Sequence, residues 1–266
     1  MNRAFSLVEL SIVLVILGLL TGGILAGKSL IRATELRSVS TEYSRYVTAA
    51  QAFRDKYFAL PGDILNATSF WGDNNTLCPD AAIANGSPGT CNGNGNGSLE
   101  AGTAGSVQGE MFMYWQHLAN AGLIEGSYSG IAGATNALHA VVDTNSPRSR
   151  IKSTAVWQVR DLGTRSGTDG MFDGDYGNTL LLAGQAAGMP AGPILSPEEA
   201  WNIDTKMDDG KAATGKIVGY ITYLGCAQQA SGAGMPGGVS SSSILTAVYN
   251  LSNSTEICML MFRRVF

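Results

Sequence analysis

Few residues in this chain of 266 residues have the types and spacing that catalysis requires. The two histidines, His117 and His139, lie in unrelated segments, and neither has a cluster of Cys, His or carboxylate residues at ligand spacing beside it. The sequence contains no nucleophile elbow, phosphate-binding loop or dinucleotide-binding motif. We therefore expect packed or surface histidines and a protein that is not an enzyme.

Oxygen-bearing side chains recur in three segments that invite comparison with calcium sites. The tract 92–100 alternates Asn with Gly, but its candidate ligands are neutral amides, and Thr103 stands where a calcium loop has its bidentate Glu. The other two segments are aspartate clusters: Asp169, Asp173 and Asp175, and Asp204, Asp208 and Asp209. Their spacing matches no calcium loop, so turn carboxylates are the favoured interpretation and calcium is the alternative. No other cofactor is predicted.

The four cysteines form two well-separated pairs in the sequence. An even number of cysteines in a chain with a membrane-targeting segment predicts two disulfides formed in an oxidising compartment. The simplest pairing joins Cys78 to Cys91 and Cys226 to Cys258. The two other pairings, and four buried free thiols, remain alternatives.

The composition limits the possible partners. The formal net charge is only -4, and Lys and Arg are scattered without a basic stripe, so no nucleic-acid partner is predicted. Charged residues make up 14% of the chain and glycine contributes 34 residues, which is typical of a loop-rich extracytoplasmic protein. The length fits one large domain with a substantial core.

Residues 5–27 form an apolar run in which Glu9 is the only charge, and the next cation is Lys28. About 20 apolar residues are enough for a helix to span a bilayer. A cleaved secretory signal is the rival interpretation, but the end of the run is a poor small-x-small cleavage site. An ordinary signal would also not carry a carboxylate here, since an unpaired one costs about 2.5 to 3.5 kcal/mol on the insertion scale. Glu9 therefore requires a specific partner.

The segment from Ala4 to Glu9, AFSLVE, resembles the prepilin cleavage motif of the type IV pilin and type II secretion pseudopilin family. The resemblance implies that a prepilin peptidase cuts between Ala4 and Phe5 and that Phe5 is then N-methylated. It also implies that Glu9 pairs with the terminal amine of a neighbouring subunit during assembly. Two features depart from many major pilins: Ala4 replaces the usual Gly, and no Pro occurs near Ala26.

Further expectations follow from this resemblance. Residues 1–4 would be a leader peptide, 5–27 the transmembrane and filament-core helix, 28–60 an amphipathic helix half, and 61–266 an extracytoplasmic globular head. The chain would be held in the inner membrane by a single pass and then enter a periplasmic or cell-surface filament. Expected partners are other pilin subunits in a homopolymer or mixed filament, the prepilin peptidase, an inner-membrane assembly platform and, before assembly, membrane lipid.

Periodicity predicts that the helix continues well beyond Lys28 to about Phe58, ahead of the helix-breaking Pro61. Apolar residues recur at steps of three and four, which indicates a single buried helix face. This stripe consists of Leu36, Val39, Tyr43, Tyr46, Ala50, Phe53 and Tyr57. Five charged residues are placed mostly off the stripe: Arg37, Glu42, Arg45, Arg54 and Asp55.

The head is predicted to combine two further helices with an antiparallel sheet, an α+β fold. One helix covers residues 110–121, and another begins at Ser196 with a capping-box pattern. Six segments are predicted as strands: 137–142, 153–159, 179–183, 216–224, 244–249 and 257–262. The Cys226–Cys258 disulfide would then clamp the end of the sheet, as in many pilin heads.

Two function classes fit these features. The first is a filament subunit, in either a pilus or a secretion pseudopilus. The second is a permanently anchored surface protein that binds a glycan or a protein through its Gly-rich and Asn-rich loops. An anchored hydrolase would need a convergent nucleophile and base, and the two isolated histidines argue against it.

Overall fold

A computed structural model describes residues 6–72, 90–101, 109–165, 171–185, 192–220, 225–229 and 246–266. The helices are α1 (Leu7–Tyr57), α2 (Ala67–Trp71), α3 (Glu110–Asn120) and α4 (Pro197–Met207). The strands are β1 (Ala155–Asp161), β2 (Thr164–Arg165), β3 (Gly174–Asp175), β4 (Asn178–Gly184), β5 (Ile217–Gly219), β6 (Ala227–Gln229), β7 (Ala247–Tyr249) and β8 (Leu260–Phe262). The predicted α+β class is confirmed.

Helix α1 is continuous over 51 residues and has well-defined ends. Ser6 is its N-cap, and its C-cap Phe58 adopts a left-handed backbone with φ 55° while donating its N–H to the Arg54 carbonyl at 2.8 Å. Pro61 follows three residues later and cannot continue a helix. The predicted end of the long helix is therefore confirmed to within one residue.

Only the second half of α1 packs against the head. Every residue from Ser6 to Ile31 is exposed, and Val39 is the first fully buried residue of the helix. The predicted stripe faces the core: the Tyr43 ring lies 4.7 Å from the Phe262 ring, and the Tyr46 ring 5.0 Å from that of Trp115. The aromatic stripe thus fixes which face of α1 carries the head.

The main sheet is antiparallel and has the strand order β1-β4-β8-β5. Side chains alternate between its two faces. Trp157, Leu182 and Leu260, which are in register across three strands, belong to the large core that also contains the α1 stripe. Leu181 and Met261 lie in a smaller cluster on the other face. The sheet is therefore buried on both faces, which explains its nearly unbroken apolar strands.

The strand predicted at 137–142 is wrong. These residues form turns, with one isolated bridge from Val142 to Ser146. Asparagine side chains compete with a strand ladder for the backbone here. The Asn145 Oδ1 accepts from the Val141 N–H at 2.7 Å, and its Nδ2 donates to the Ile131 and His139 carbonyls.

The other strand predictions are confirmed in position, but their bounds differ: β1 is shifted two residues towards the C-terminus, and β4 extends one residue beyond each end of its prediction. Residues 153–159 and 179–183 correspond to the two seven-residue strands β1 and β4. The last three predictions each correspond to a three-residue strand, namely β5, β7 and β8.

The predicted disulfide between Cys226 and Cys258 is present, with the two Cα atoms 5.0 Å apart. Cys226 directly precedes β6 and Cys258 lies two residues before β8, so the bond ties the small β6–β7 sheet to the main sheet. Cys91 is buried and also disulfide-bonded. Its expected partner, Cys78, lies outside the described residues.

Replacing both Cys226 and Cys258 by alanine is expected to lower the free energy of unfolding by about 3 to 4 kcal/mol, the loop-closure value for cysteines 32 residues apart. Urea unfolding of the full chain in detergent, followed by tryptophan fluorescence, measures the loss. The single Cys226→Ala variant is the comparison, because it removes the same bond and leaves a buried thiol. An unchanged unfolding midpoint in the double variant would contradict a stabilising role for this disulfide.

Candidate functional site: the N-terminal helix and its contacts with the head

The first turn of α1 holds Glu9 by a capping box. The Glu9 Oε2 accepts a hydrogen bond from the Ser6 N–H at 2.9 Å, and the Ser6 Oγ accepts from the Val8 N–H at 3.3 Å. The carboxylate therefore lies at the N-terminal end of the helix, where the backbone dipole favours a negative charge. The predicted cleavage and methylation residues, Ala4 and Phe5, lie outside the described residues. The pairing predicted for Glu9 stays a prediction.

The exposed half of α1 is long and apolar enough to cross a membrane: its best 18-residue window has a mean hydropathy of 2.4 and none of it is buried. Residues 7–27 rise about 32 Å at 1.5 Å per residue, close to the hydrocarbon thickness of a bilayer. Exposed leucines, isoleucines and valines in such a run are unfavourable in water. The free half of α1 is therefore suited to contact with lipid or with other apolar helices.

Arg32 marks the point where the head begins to contact α1. Its guanidinium binds both carboxylate oxygens of Glu199 in a bidentate ion pair, Nε to Oε1 at 2.5 Å and Nη2 to Oε2 at 2.9 Å. Its Nη1 donates to the Glu35 carboxylate at 3.0 Å and to the Ile151 carbonyl at 2.8 Å. Glu199 also completes the capping box of α4 with Ser196, as the sequence predicts. The start of α4 is thus docked on α1 by one arginine.

Burial raises the pKa of the Glu199 carboxyl, but hydrogen bonds from Arg32 and Ser196 outweigh that effect, so this pKa lies below its usual value. The carboxylate is therefore ionised at neutral pH and able to hold Arg32. Sequence patterns identified the capping role of Glu199 but not its partner, which is 167 residues away.

Glu42 is the polar centre of the contact between α1 and the head, so its predicted place off the buried face is wrong. Only 6% of Glu42 is exposed. Its carboxylate accepts three hydrogen bonds, from the Ser149 Oγ at 2.7 Å, the Arg150 N–H at 2.9 Å and the Trp157 Nε1 at 2.7 Å. The apolar stripe is therefore interrupted by one acid that anchors β1 and the loop before it. One sequence signal could have placed Glu42 on the buried face: it lies three residues after Val39 and four before Tyr46, which is the spacing of the apolar stripe.

The Asn- and Gly-rich tract that follows Cys91 wraps around the buried carboxylate of Asp63. The Asp63 Oδ1 accepts from the Gly95 and Asn96 N–H groups at 2.6 and 3.2 Å, and its Oδ2 accepts from the Gly97 N–H at 2.7 Å. Successive backbone N–H groups in such a concave turn bind anions. The tract therefore presents donors inwards, the reverse of a calcium loop, and forms a turn around this carboxylate.

A second carboxylate, Glu110 at the start of α3, closes the same tract. It accepts from the Asn94 N–H at 2.9 Å and from the Glu100 N–H at 3.2 Å. Burial raises the pKa of Glu110 to about 7, the nearby charges of Asp63 and Glu100 add to this, and the two N–H groups act against it. The tract is thus held between two carboxylates, that of Asp63, which follows α1, and that of Glu110, which begins α3.

His117 is a fully buried structural residue, as expected of a packed histidine. Its Nδ1 accepts from the Gly62 N–H at 2.9 Å, which assigns the proton to Nε2, 2.8 Å from the Thr90 Oγ1. Burial lowers the pKa of this imidazole to about 3, so it is neutral. Gly62 has φ +89°, and a Cβ there would lie 2.4 Å from the Glu110 carbonyl oxygen, so only glycine allows this approach. His139 is half-buried and packs in the turns after Ile131.

Of the aspartate clusters, the structure brings one together. Asp204, Asp208 and Asp209 have carboxylate oxygens within 4.8 Å of one another, the one such group of three among the residues that can be described. Each is already engaged by donors. Asp204 accepts from the Tyr249 hydroxyl at 2.9 Å, Asp208 from the Ile217 N–H at 2.9 Å, and Asp209 from the Lys211 N–H at 2.9 Å. They act as turn carboxylates that close the loop between α4 and β5.

The other predicted cluster does not converge in the described part of the chain. Asp175 lies in β3 and forms an ion pair with Arg264 at 3.1 Å. Asp173 precedes that strand and belongs to no group with ligand spacing among the described residues. Asp169 lies outside those residues. Calcium binding at either cluster stays a prediction.

Asp204 makes the stability of the head depend on pH. Burial raises its pKa to about 7, and the charges of Asp209 and Asp208 add to this effect. A carboxyl whose pKa is raised on folding stabilises the fold below its unfolded pKa near 3.9 and loses that contribution as the pH rises through 7.

Asp204→Asn, which cannot ionise, is therefore expected to gain stability over the wild type as the pH rises from 4 to 7, by at most about 1.4 kcal/mol per pH unit. Urea unfolding at several pH values measures this difference. Asp55→Asn, on the exposed side of α1, serves as the control and should differ from the wild type by a constant amount. A stability difference between Asp204→Asn and the wild type that does not change with pH would contradict the raised pKa of Asp204.

Comparison with known proteins adds no relative. No protein-family model matches the chain, no curated protein is significantly similar to it, and no solved structure matches it. Its function is therefore argued from the sequence motif and the geometry.

Proposed function

We propose that this protein is a structural subunit of a type IV pilus-like or type II secretion pseudopilus filament. A prepilin peptidase removes residues 1–4, and the chain stays in the inner membrane with its head extracytoplasmic until an assembly platform adds it to the filament. Other subunits of the same or related kind are its partners. The subunit itself catalyses nothing.

The observation that carries this proposal is the division of α1 into two halves. From Leu7 to Gly27 the helix is apolar apart from Glu9, and its residues are exposed as far as Ile31. Its second half packs against the head through an aromatic stripe, Glu42 and Arg32. A subunit that moves from a membrane into a filament needs both parts. The first half exchanges lipid for the helices of other subunits, and the second keeps the head rigidly attached during the transfer.

The mass of the mature chain tests the proposal. In cells with a prepilin peptidase, the purified protein is expected to begin at Phe5 and to carry one extra methyl group on its terminal amine. The same chain from cells without the peptidase should retain residues 1–4. A chain that still begins at Met1 in the presence of the peptidase would rule out the filament subunit.

The second candidate function, a permanently anchored surface receptor, is favoured by one feature at the far end of α1. A cavity of about 540 Å³ opens there, lined in part by Arg54, Tyr57, Phe58 and Phe266. The Phe58 side chain is 92% exposed, unusual for a large aromatic residue. An uncleaved chain that binds glycans or proteins through this cavity would support the receptor instead.

A further inference from the structure

The loop between residues 148 and 152 carries the sequence RSRIK and lies against α1 just above its apolar half. Two contacts fix its position: the Arg150 N–H donates to Glu42, and the Ile151 carbonyl accepts from Arg32. The sequence shows scattered cations, but the fold brings this short basic segment close to the end of the apolar run. The loop is thus held against the helix segment that directly follows the apolar run.

A concave surface of about 360 Å³ lies between this loop and α1. Its lining, named here the junction groove, consists of Leu30, Ile31, Thr34, Glu35, Ser38 and Arg150. Leu30 and Ile31 are 69% and 62% exposed, so the groove has an apolar floor open to the outside. Two hydroxyl groups, one carboxylate and one guanidinium form the rest of its wall.

The charges of the groove leave Arg150 as its available cation. Glu35, the one acid in the lining, is engaged by Arg32 at 3.0 Å. The neighbouring cations are also occupied, since Arg148 pairs with Asp143 at 2.6 Å and Lys152 pairs with Glu256. Among the described residues, the exposed Arg150 guanidinium has no ion pair or hydrogen bond. The groove therefore combines an apolar floor with an unpaired cation.

The height of the groove above the apolar run matches the headgroup layer of a membrane. Leu30 lies about 3 Å and Thr34 about 9 Å beyond Lys28 along the helix axis, at 1.5 Å per residue. The polar layer of a bilayer is about 5 to 7 Å thick on each side of the hydrocarbon core. Lipid phosphates would therefore lie level with Arg150 when residues 7–27 span the bilayer.

We propose that the junction groove binds the headgroup of an anionic phospholipid while the subunit is in the membrane. Arg150 pairs with the lipid phosphate, and Leu30 and Ile31 contact the upper part of an acyl chain. The Thr34 and Ser38 hydroxyls donate to backbone carbonyls of α1, so they offer only acceptor oxygens to the headgroup. This inference rests on the membrane-anchored state in the proposed function. The head is thereby seated on the membrane in one orientation, and the lipid is released when the helix enters a filament.

To test this proposal, the full chain is reconstituted in two kinds of vesicle, one of phosphatidylcholine alone and one that also contains phosphatidylglycerol. The number of lipid molecules retained per subunit is then measured after detergent extraction. Wild type is expected to retain phosphatidylglycerol preferentially. Arg150→Gln should lose about fivefold in this preference, which corresponds to about 1 kcal/mol for a basic residue at an anionic surface. Arg148→Gln removes the same charge from the same loop but from an existing ion pair, so it should retain the preference.

Thr34→Trp fills the groove without changing its charge and should lose the preference as Arg150→Gln does. Equal losses for Arg150→Gln and Arg148→Gln would overturn the proposal and indicate general surface charge. If position 34 of one copy cross-links to another copy equally in both kinds of vesicle, the proposal is overturned, and the groove is instead a contact between subunits. Failure of the wild type to insert into either vesicle would instead refute the membrane-anchored state itself.

Discussion

Replacing Glu9 by valine is expected to abolish filament assembly and to leave membrane insertion intact. Glu9 is the only charge in the apolar run, and it sits four residues from the amine that cleavage before Phe5 would create. A carboxylate in a filament core of apolar helices needs a cationic partner, because an isolated charge in that environment is costly. Valine removes the charge and favours insertion, but in the proposed filament it would leave the terminal amine of a neighbouring subunit without a partner.

The matched variant Glu9→Gln separates the two contacts that Glu9 makes or is predicted to make. Glutamine retains the capping box with Ser6, since Gln serves at that position as Glu does, but it cannot neutralise an amine. Both variants should fractionate with membranes after alkaline washing, and both should give no sheared filaments under the electron microscope. Normal filaments from Glu9→Gln would show that the charge pair is dispensable and that only the cap matters.

Replacing Glu42 by alanine is expected to lower the free energy of unfolding by about 3 to 5 kcal/mol. The substitution leaves three donors from Ser149, Arg150 and Trp157 facing a cavity in a region from which water is excluded. Removing a buried acceptor that serves several donors lowers the free energy of unfolding far more than removing a surface ion pair does. The reason is that each buried donor loses its partner and cannot be hydrated instead. Since β1 contains Trp157, the sheet should loosen from α1.

Glu42→Gln keeps the shape and one acceptor oxygen, so its loss should be smaller than that of Glu42→Ala. The exposed Asp55→Asn on the same helix provides the control and should change stability by less than about 0.5 kcal/mol. Urea unfolding of the full chain in detergent, followed by the fluorescence of the core tryptophans, reports all three. An alanine variant within 1 kcal/mol of wild type, a loss far below the roughly 3 kcal/mol expected for these donors, would contradict the anchoring role.

The sequence by itself predicted the features that arise from neighbouring residues. The long helix, the face of its stripe from Leu36 to Tyr57, helix α3 and the capping box at Ser196 are all confirmed. Helical periodicity and caps act over three or four residues, so the information for them is local. The Cys226–Cys258 disulfide was also predicted, because four cysteines allow few pairings.

Local patterns failed where side chains compete with the backbone. The mostly apolar segment 137–142 suggested a strand, but Asn145 binds three backbone groups of its own neighbourhood and holds them in turns. The Asn- and Gly-rich tract invited comparison with a cation loop, yet it binds Asp63, a residue more than 30 positions earlier. Composition indicated neither the turn that Asn145 holds nor the carboxylate that the Asn- and Gly-rich tract encloses.

The contacts that attach the head to α1 were decided by the tertiary structure alone. Glu42 meets partners 107 to 115 residues away, and Arg32 meets Glu199 at a separation of 167 residues. No local pattern distinguishes a buried acid with such partners from a solvated one, because its burial depends on which distant donors the folded chain brings to it. The apolar half of α1 and its single Glu9 were evident from the residues themselves. Where the exposed half ends and the anchored half begins was determined by packing.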